Sequence, residues 1–185
     1  IMMTSSKTAK ILIVDDSLTN VELLSDFLEN SGFKLLTAED GQTALDLTAT
    51  EKPDLILLDI MMPNLDGFET CRRLKANQAT KEIPVIFSTA LTDTQDKVKA
   101  FNVGAADYVT KPFEFAEILA RINTHLSIRQ LQKSLQEQNQ QLQQENIRRR
   151  RVLDALQESR QRYRVLADYS TDMISQQSPE GIYRY

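Results

Sequence analysis

Residues 55–67 read LILLDIMMPNLDG. Four apolar residues, Leu55 to Leu58, run without alternation into Asp59, and then Pro63, Asn64, Asp66 and Gly67 make the chain turn. An unbroken apolar run bounded by turn residues is the pattern of a strand covered on both faces, as in a parallel sheet. A carboxylate at the end of such a strand is costly to desolvate unless a neighbouring group offsets its charge. The ends of the other strands supply candidates for that group.

Short apolar runs recur at Ile11 to Val14, Leu35 to Ala38, Val85 to Phe87 and Tyr108 to Val109. Helix-patterned stretches separate them: 20–30 with Val21, Leu24, Phe27 and Leu28; 41–50; 67–77 with Phe68, Cys71 and Leu74; and 94–102 with Val98 and Phe101. Gly32 and Gly104 each follow a helical stretch, and Pro53 and Pro84 each precede a strand. Strand and helix alternate five times, which predicts a parallel α/β sheet with right-handed crossovers and helices on both faces. Ligands of such sheets collect at the carboxyl ends of the strands. The polar anomalies fall there: Asp15 and Asp16 after the first strand, Asp59 at the third, Thr89 at the fourth and Lys111 at the fifth.

Three carboxylates at one sheet edge repel one another, so either protons are retained or a cation sits among them. A hard divalent ion, Mg²⁺ or Mn²⁺, is the simpler solution, because it takes oxygen ligands and leaves room for waters and a phosphate. Lys111 and Thr89 bring a mobile charge and a hydroxyl, groups suited to phosphoryl oxygens. Asp59 is then placed to act as a nucleophile and form an aspartyl phosphate. Taken singly, the three acids read equally well as caps or loop residues, Thr89 as a strand residue, Lys111 as a surface charge and Tyr108 as core. Their convergence carries the reading.

Asp15 and Asp16, Asp59 with MMPNLDG behind it, STA at 88–90 and YVTKPF at 108–113 together resemble the receiver domain of two-component response regulators, the CheY-like family. The resemblance covers about residues 9–127 and implies a doubly wound, flavodoxin-like five-stranded sheet of order 2-1-3-4-5. It implies that Asp59 accepts a phosphoryl group from a histidine kinase or phosphotransfer protein. Asp16 would bind Mg²⁺ directly and Asp15 mainly through water, Asp59 would share the ion, and the backbone carbonyl of Met61 would be the third protein ligand. Lys111 would hold the phosphoryl group. Thr89 would move toward it, and Tyr108 would rotate inward and reshape the surface around the fourth and fifth helices. The Lys111-Pro112 bond is usually cis in this family. Met61 and Leu91 stand where the family modulates hydrolysis, and both are apolar.

The remaining chain has a different character. Formal charge is −4 overall, but 12 basic and 19 acidic residues give −7 over 1–127, while 10 and 7 give +3 over 128–185. Residues 1–8 are read as a disordered tail or cloning remnant. From Phe115 a helical pattern continues without Gly or Pro to Pro179, with Ile118, Ile122 and Leu126 able to cover the sheet. Over 128–167 a heptad places Ile128, Leu135, Leu142, Leu156 and Tyr163 at a and Leu131, Val152 and Leu166 at d. It is interrupted by Arg149, Gln138, Glu145 and Ser159. This predicts a homodimeric parallel coiled-coil linker acting with the receiver face, the alternative being a solvated single helix. Residues 168–185 resemble the opening of a PAS domain, with a helix ending near Asp172 and a strand beginning after it, so the chain reads as part of a longer protein.

Several features are read as structural. Cys71 is a small buried hydrophobe, His125 a helix-surface or linker residue and Arg148 to Arg151 a solvated face, so no nucleic-acid site is expected. A lone cysteine cannot form an internal disulfide, and no apolar run is long enough to span a bilayer, so a cytoplasmic setting and no membrane contact are expected. Two rivals stay open. One is an aspartate-nucleophile phosphatase, whose DxDx[TV] signature Asp59-Ile-Met-Met does not carry. The other is a receiver-like scaffold that is never phosphorylated.

Overall fold

The computed structural model describes residues 8–90 and 94–175. In chain order these form β1 (Lys10–Val14), α1 (Leu18–Asn30), β2 (Lys34–Ala38), α2 (Gly41–Glu51), β3 (Leu55–Asp59), α3 (Gly67–Ala76), β4 (Val85–Thr89), α4 (Thr94–Asn102), β5 (Asp107–Thr110) and α5 (Phe115–Ser175). The strands make one parallel sheet in the order β2-β1-β3-β4-β5, the flavodoxin-like topology. Leu57 of β3 pairs with Ile13 on one side and Ile86 on the other. Successive strand residues point to opposite faces, and two apolar layers result. Leu12, Val14, Ile56, Leu58, Val85 and Phe87 meet Ala44, Phe68, Cys71, Leu74 and Ala100. Ile11, Ile13, Leu55, Leu57, Ile86 and Val109 meet Leu24, Leu28, Ile118 and Ile122.

The central strands β1, β3 and β4 are covered on both faces, as their sequences predict. The edge strand β2 is not: Lys34 and Thr37 are exposed, and Leu35 and Leu36 are half-buried. With a neighbour on one side only, β2 receives partial cover. A second difference lies in α4, where Val98 and Phe101 are exposed and Ala100 faces the core. Phe101 instead packs edge-on against Tyr108, with ring centroids 6.1 Å apart. Cys71 is buried and free, and burial pushes its thiol up to about 11.

The chain divides into two units, Ile1–Gln132 and Lys133–Tyr185. In the first, α5 buries Ile118 and Ile122 against the sheet, and Arg129 donates to the carbonyls of Pro53 and Asp54. In the second, every residue of 133–167 except Ser159 is exposed. The expected helix end at Asp172 is not seen, since α5 runs on to Ser175. No Gly or Pro stands before Pro179 to stop it. The rest of the PAS-like reading, 176–185, lies outside the described residues. No helix among the described residues is long and apolar enough to cross a membrane.

Candidate functional site

Parallel strands deliver their last residues to one edge, and the ends of four of the five strands supply the site there. Asp15 and Asp16 follow β1, Asp59 ends β3, Thr89 ends β4 and Lys111 follows β5. Carboxylate oxygens of Asp15, Asp16 and Asp59 lie within 4.8 Å of one another. Lys111 Nζ is 2.8 Å from Asp15 Oδ2 and 2.8 Å from Asp59 Oδ2. Its main-chain N–H donates to Thr89 O at 2.8 Å, and the peptide to Pro112 is cis.

The three acids differ in their freedom. Asp15 is 2% exposed; Oδ1 accepts from Ser17 N, both of its oxygens accept from Asn20 Nδ2, and Oδ2 accepts from Lys111. Asp16 is exposed, and its carboxylate makes no hydrogen bond to the described residues. Asp59 is 4% exposed and accepts from Met61 N at 3.4 Å as well as from Lys111. Burial pushes the Asp59 carboxyl above its usual range, and neighbouring Asp15 adds to this against the opposing pull of Lys111. Burial alone would lower Lys111, but its two carboxylate hydrogen bonds outweigh that and raise it.

The turn after β3 is shaped for close approach. A Cβ on Gly67 would lie 2.2 Å from the Asp59 carbonyl oxygen, so no other residue lets α3 start so near the backbone of Asp59. Asp66 caps α3 by accepting from Glu69 N at 2.7 Å, and Asn64 takes φ +66°, a left-handed position that Asn tolerates. Met61 presents its side chain to solvent, while Leu91 lies outside the described residues. Thr89 is buried, and Tyr108 is half-buried beside Phe101 and Arg121.

Three carboxylates and one ammonium leave the site with two uncompensated negative charges. All its free donors are hard oxygens, most available on Asp16. This set fits a divalent cation of the Mg²⁺ class.

Sequence reading missed Asn20. The signal was present, since a residue on the first turn of α1 faces back toward the strand end that precedes it. His125, expected on the helix surface or in the linker, is half-buried: its ring nitrogen sits 3.1 Å from Asp107 Oδ2, and Arg121 holds the same carboxylate at 2.7 Å.

The sequence pattern of the response regulator receiver domain matches residues 11–123. The chain belongs to that family. As a receiver domain it is 47% identical over 117 residues to the alkaline phosphatase synthesis transcriptional regulatory protein PhoP of Bacillus subtilis, covering 63% of this chain and 48% of the relative. It is 38% identical over 149 residues to a Vibrio cholerae protein named "Probable cyclic di-GMP phosphodiesterase", covering 80% and 34%. A crystal structure of the signal receiver domain of a signal transduction histidine kinase from Syntrophus aciditrophicus superposes with TM-score 0.61 at 37% identity, covering 65% of this chain and 91% of that one. The matched stretch spans about a quarter to a half of the curated relatives.

Proposed function

We propose that this receiver is a phosphorylation-controlled switch whose Asp59 accepts a phosphoryl group from a histidine kinase or phosphotransfer protein. The observation that carries the reading is the placement of Lys111 Nζ at 2.8 Å from both Asp15 and Asp59, beside the exposed oxygens of Asp16. One Asp59 oxygen forms the bond to phosphorus as the donor's P–N bond breaks and its electron pair stays on the histidine nitrogen. Asp16, Asp15, Asp59 and the Met61 carbonyl would hold Mg²⁺, which when bound supplies positive charge to the transferring oxygens. Lys111 leaves the carboxylates for the new phosphoryl oxygens. Thr89 donates to the same group, and Tyr108 turns inward beside Phe101. Family membership, the net charge of the site and the free Asp16 carboxylate support these roles.

The organisation we infer is a receiver over 9–127, a helical homodimeric linker over 128–167 and the start of a PAS-like domain over 168–185. Phosphorylation changes the receiver face, and the continuous helix passes a change of angle or register onward. Relatives named for transcriptional regulation and for phosphodiesterase activity support a receiver that leaves the output open, with any effector enzyme in another part of the protein.

Intact mass after treatment with acetyl phosphate and Mg²⁺ tests the reading. Wild type gains one phosphoryl group, and Asp59→Asn gains none; steady turnover of phosphate monoesters, or no labelling of wild type, overturns it. Met61 and Leu91 cannot orient an attacking water, so the aspartyl phosphate decays more slowly than in Met61→Asn with Leu91→Glu. Equal or faster wild-type decay refutes that point.

A further inference from the structure

Resting on the homodimer reading above, we propose that α5 beyond Gln132 pairs in parallel with a second copy of this chain and that Glu145 and Arg149 of both copies form a central charged layer fixing the register. Large apolar residues of this stretch are left uncovered by the described residues: Leu142, Val152 and Leu156 are 61%, 61% and 55% exposed. Counted in sevens, they share one stripe with Leu135, Tyr163 and Leu166. Glu145 and Arg149 occupy successive d and a positions of that stripe. They have opposite charge and already pair along the helix at 3.0 Å.

In a parallel pair, a residue at a enters a hole that includes the partner's preceding d residue. Arg149 therefore meets Glu145 of the second copy, and the converse holds by symmetry, giving two cations and two anions in one neutral layer. A slip of one heptad sets Arg149 of one copy against Leu156 of the other and Glu145 of that other copy against Gln138, so only one of the two Glu145–Arg149 contacts between copies survives and the remaining two charges face uncharged neighbours. Direction follows from the rest of the stripe. Parallel pairing stacks Leu135, Leu142, Leu156 and Tyr163 each on its own copy, and Gln138 and Ser159 likewise. An antiparallel pair centred on the same charges would set Leu135 against Ser159 and Leu156 against Gln138.

Sedimentation equilibrium of the full chain tests the layer. Glu145→Arg alone and Arg149→Glu alone each weaken the dimer at least tenfold. The double swap, and an equimolar mixture of the two single variants, restore it, with circular dichroism confirming helix throughout. Orientation is read from disulfides, because Cys71 is buried and silent. Leu142→Cys cross-links to itself; cross-linking chiefly between Leu142→Cys and Val152→Cys overturns the parallel arrangement. A dimer indifferent to the charge changes overturns the layer while sparing the homodimer reading. A chain that stays monomeric overturns both and leaves acetyl phosphate labelling of Asp59 to be judged separately.

Discussion

Ile122 and Leu142 lie on one uninterrupted helix, yet Ile122 is 0% exposed and Leu142 is 61% exposed. The linker stretch, rich in Gln, Glu, Arg and Leu, has at least the helix propensity of the receiver stretch, so propensity does not explain the contrast. In the receiver, α5 exists because its apolar stripe completes a layer with Ile13, Leu57 and Ile86. Beyond Gln132 the same helix carries an apolar stripe that its own chain does not cover among the described residues. A helix that satisfies its backbone but leaves its stripe in water depends on tertiary or intermolecular packing for most of its stability. Continuity of a helix therefore says nothing about continuity of its cause.

Truncating each residue breaks or upholds that comparison most forcefully. Ile122→Ala leaves a cavity in the sheet-facing layer and costs about 2–5 kcal/mol in urea unfolding of the receiver. Leu142→Ala, at an exposed position, changes the same transition by less than about 0.5 kcal/mol. Equal losses would mean that the receiver fold draws on the linker, contrary to the contrast in burial.

Legibility in the sequence followed the same division. The central strands could be read because burial on both faces writes an unbroken apolar run, as in Leu55 to Leu58. The site could be read because parallel strands send their carboxyl ends to one edge, so Asp15, Asp16, Asp59, Thr89 and Lys111 each sit one or two residues from an apolar run. Strand order was not in the apolar pattern and came from the resemblance. The pattern in α4 misled because Phe101 and Val98 look like a buried face, whereas a small residue, Ala100, makes the close contact and carries no hydrophobic signal. Asn20 and His125 escaped because a polar residue on a helix is neutral until the fold puts a carboxylate opposite it. In the linker the heptad is legible, but an exposed stripe alone does not name its partner.

Charge pairs repeat the contrast on a smaller scale. Glu145 and Arg149 are solvated, with side chains 48% and 72% exposed in the single chain, and an exposed i, i+4 pair contributes about 0.3–0.5 kcal/mol to a helix. Asp107 is 18% exposed and is held by Arg121, by His125 and by the Tyr108 N–H. Burial would raise its carboxyl, but the hydrogen bonds from Arg121 and His125 outweigh burial and hold it below the usual range. A depressed carboxylate binds fewer protons in the folded than in the unfolded chain, so its contribution is complete above the unfolded value near 3.8 and vanishes as pH falls through the lower folded value. Asp107→Asn therefore destabilises the receiver by about 1–2 kcal/mol at neutral pH. The gap between wild type and variant closes on acidification below the ordinary carboxylate range. Thermal unfolding of both proteins across that range measures it. A gap that stayed constant would show that Asp107 contributes through packing, and the distinction between a charge held by the fold and one held by water would then not apply to this pair.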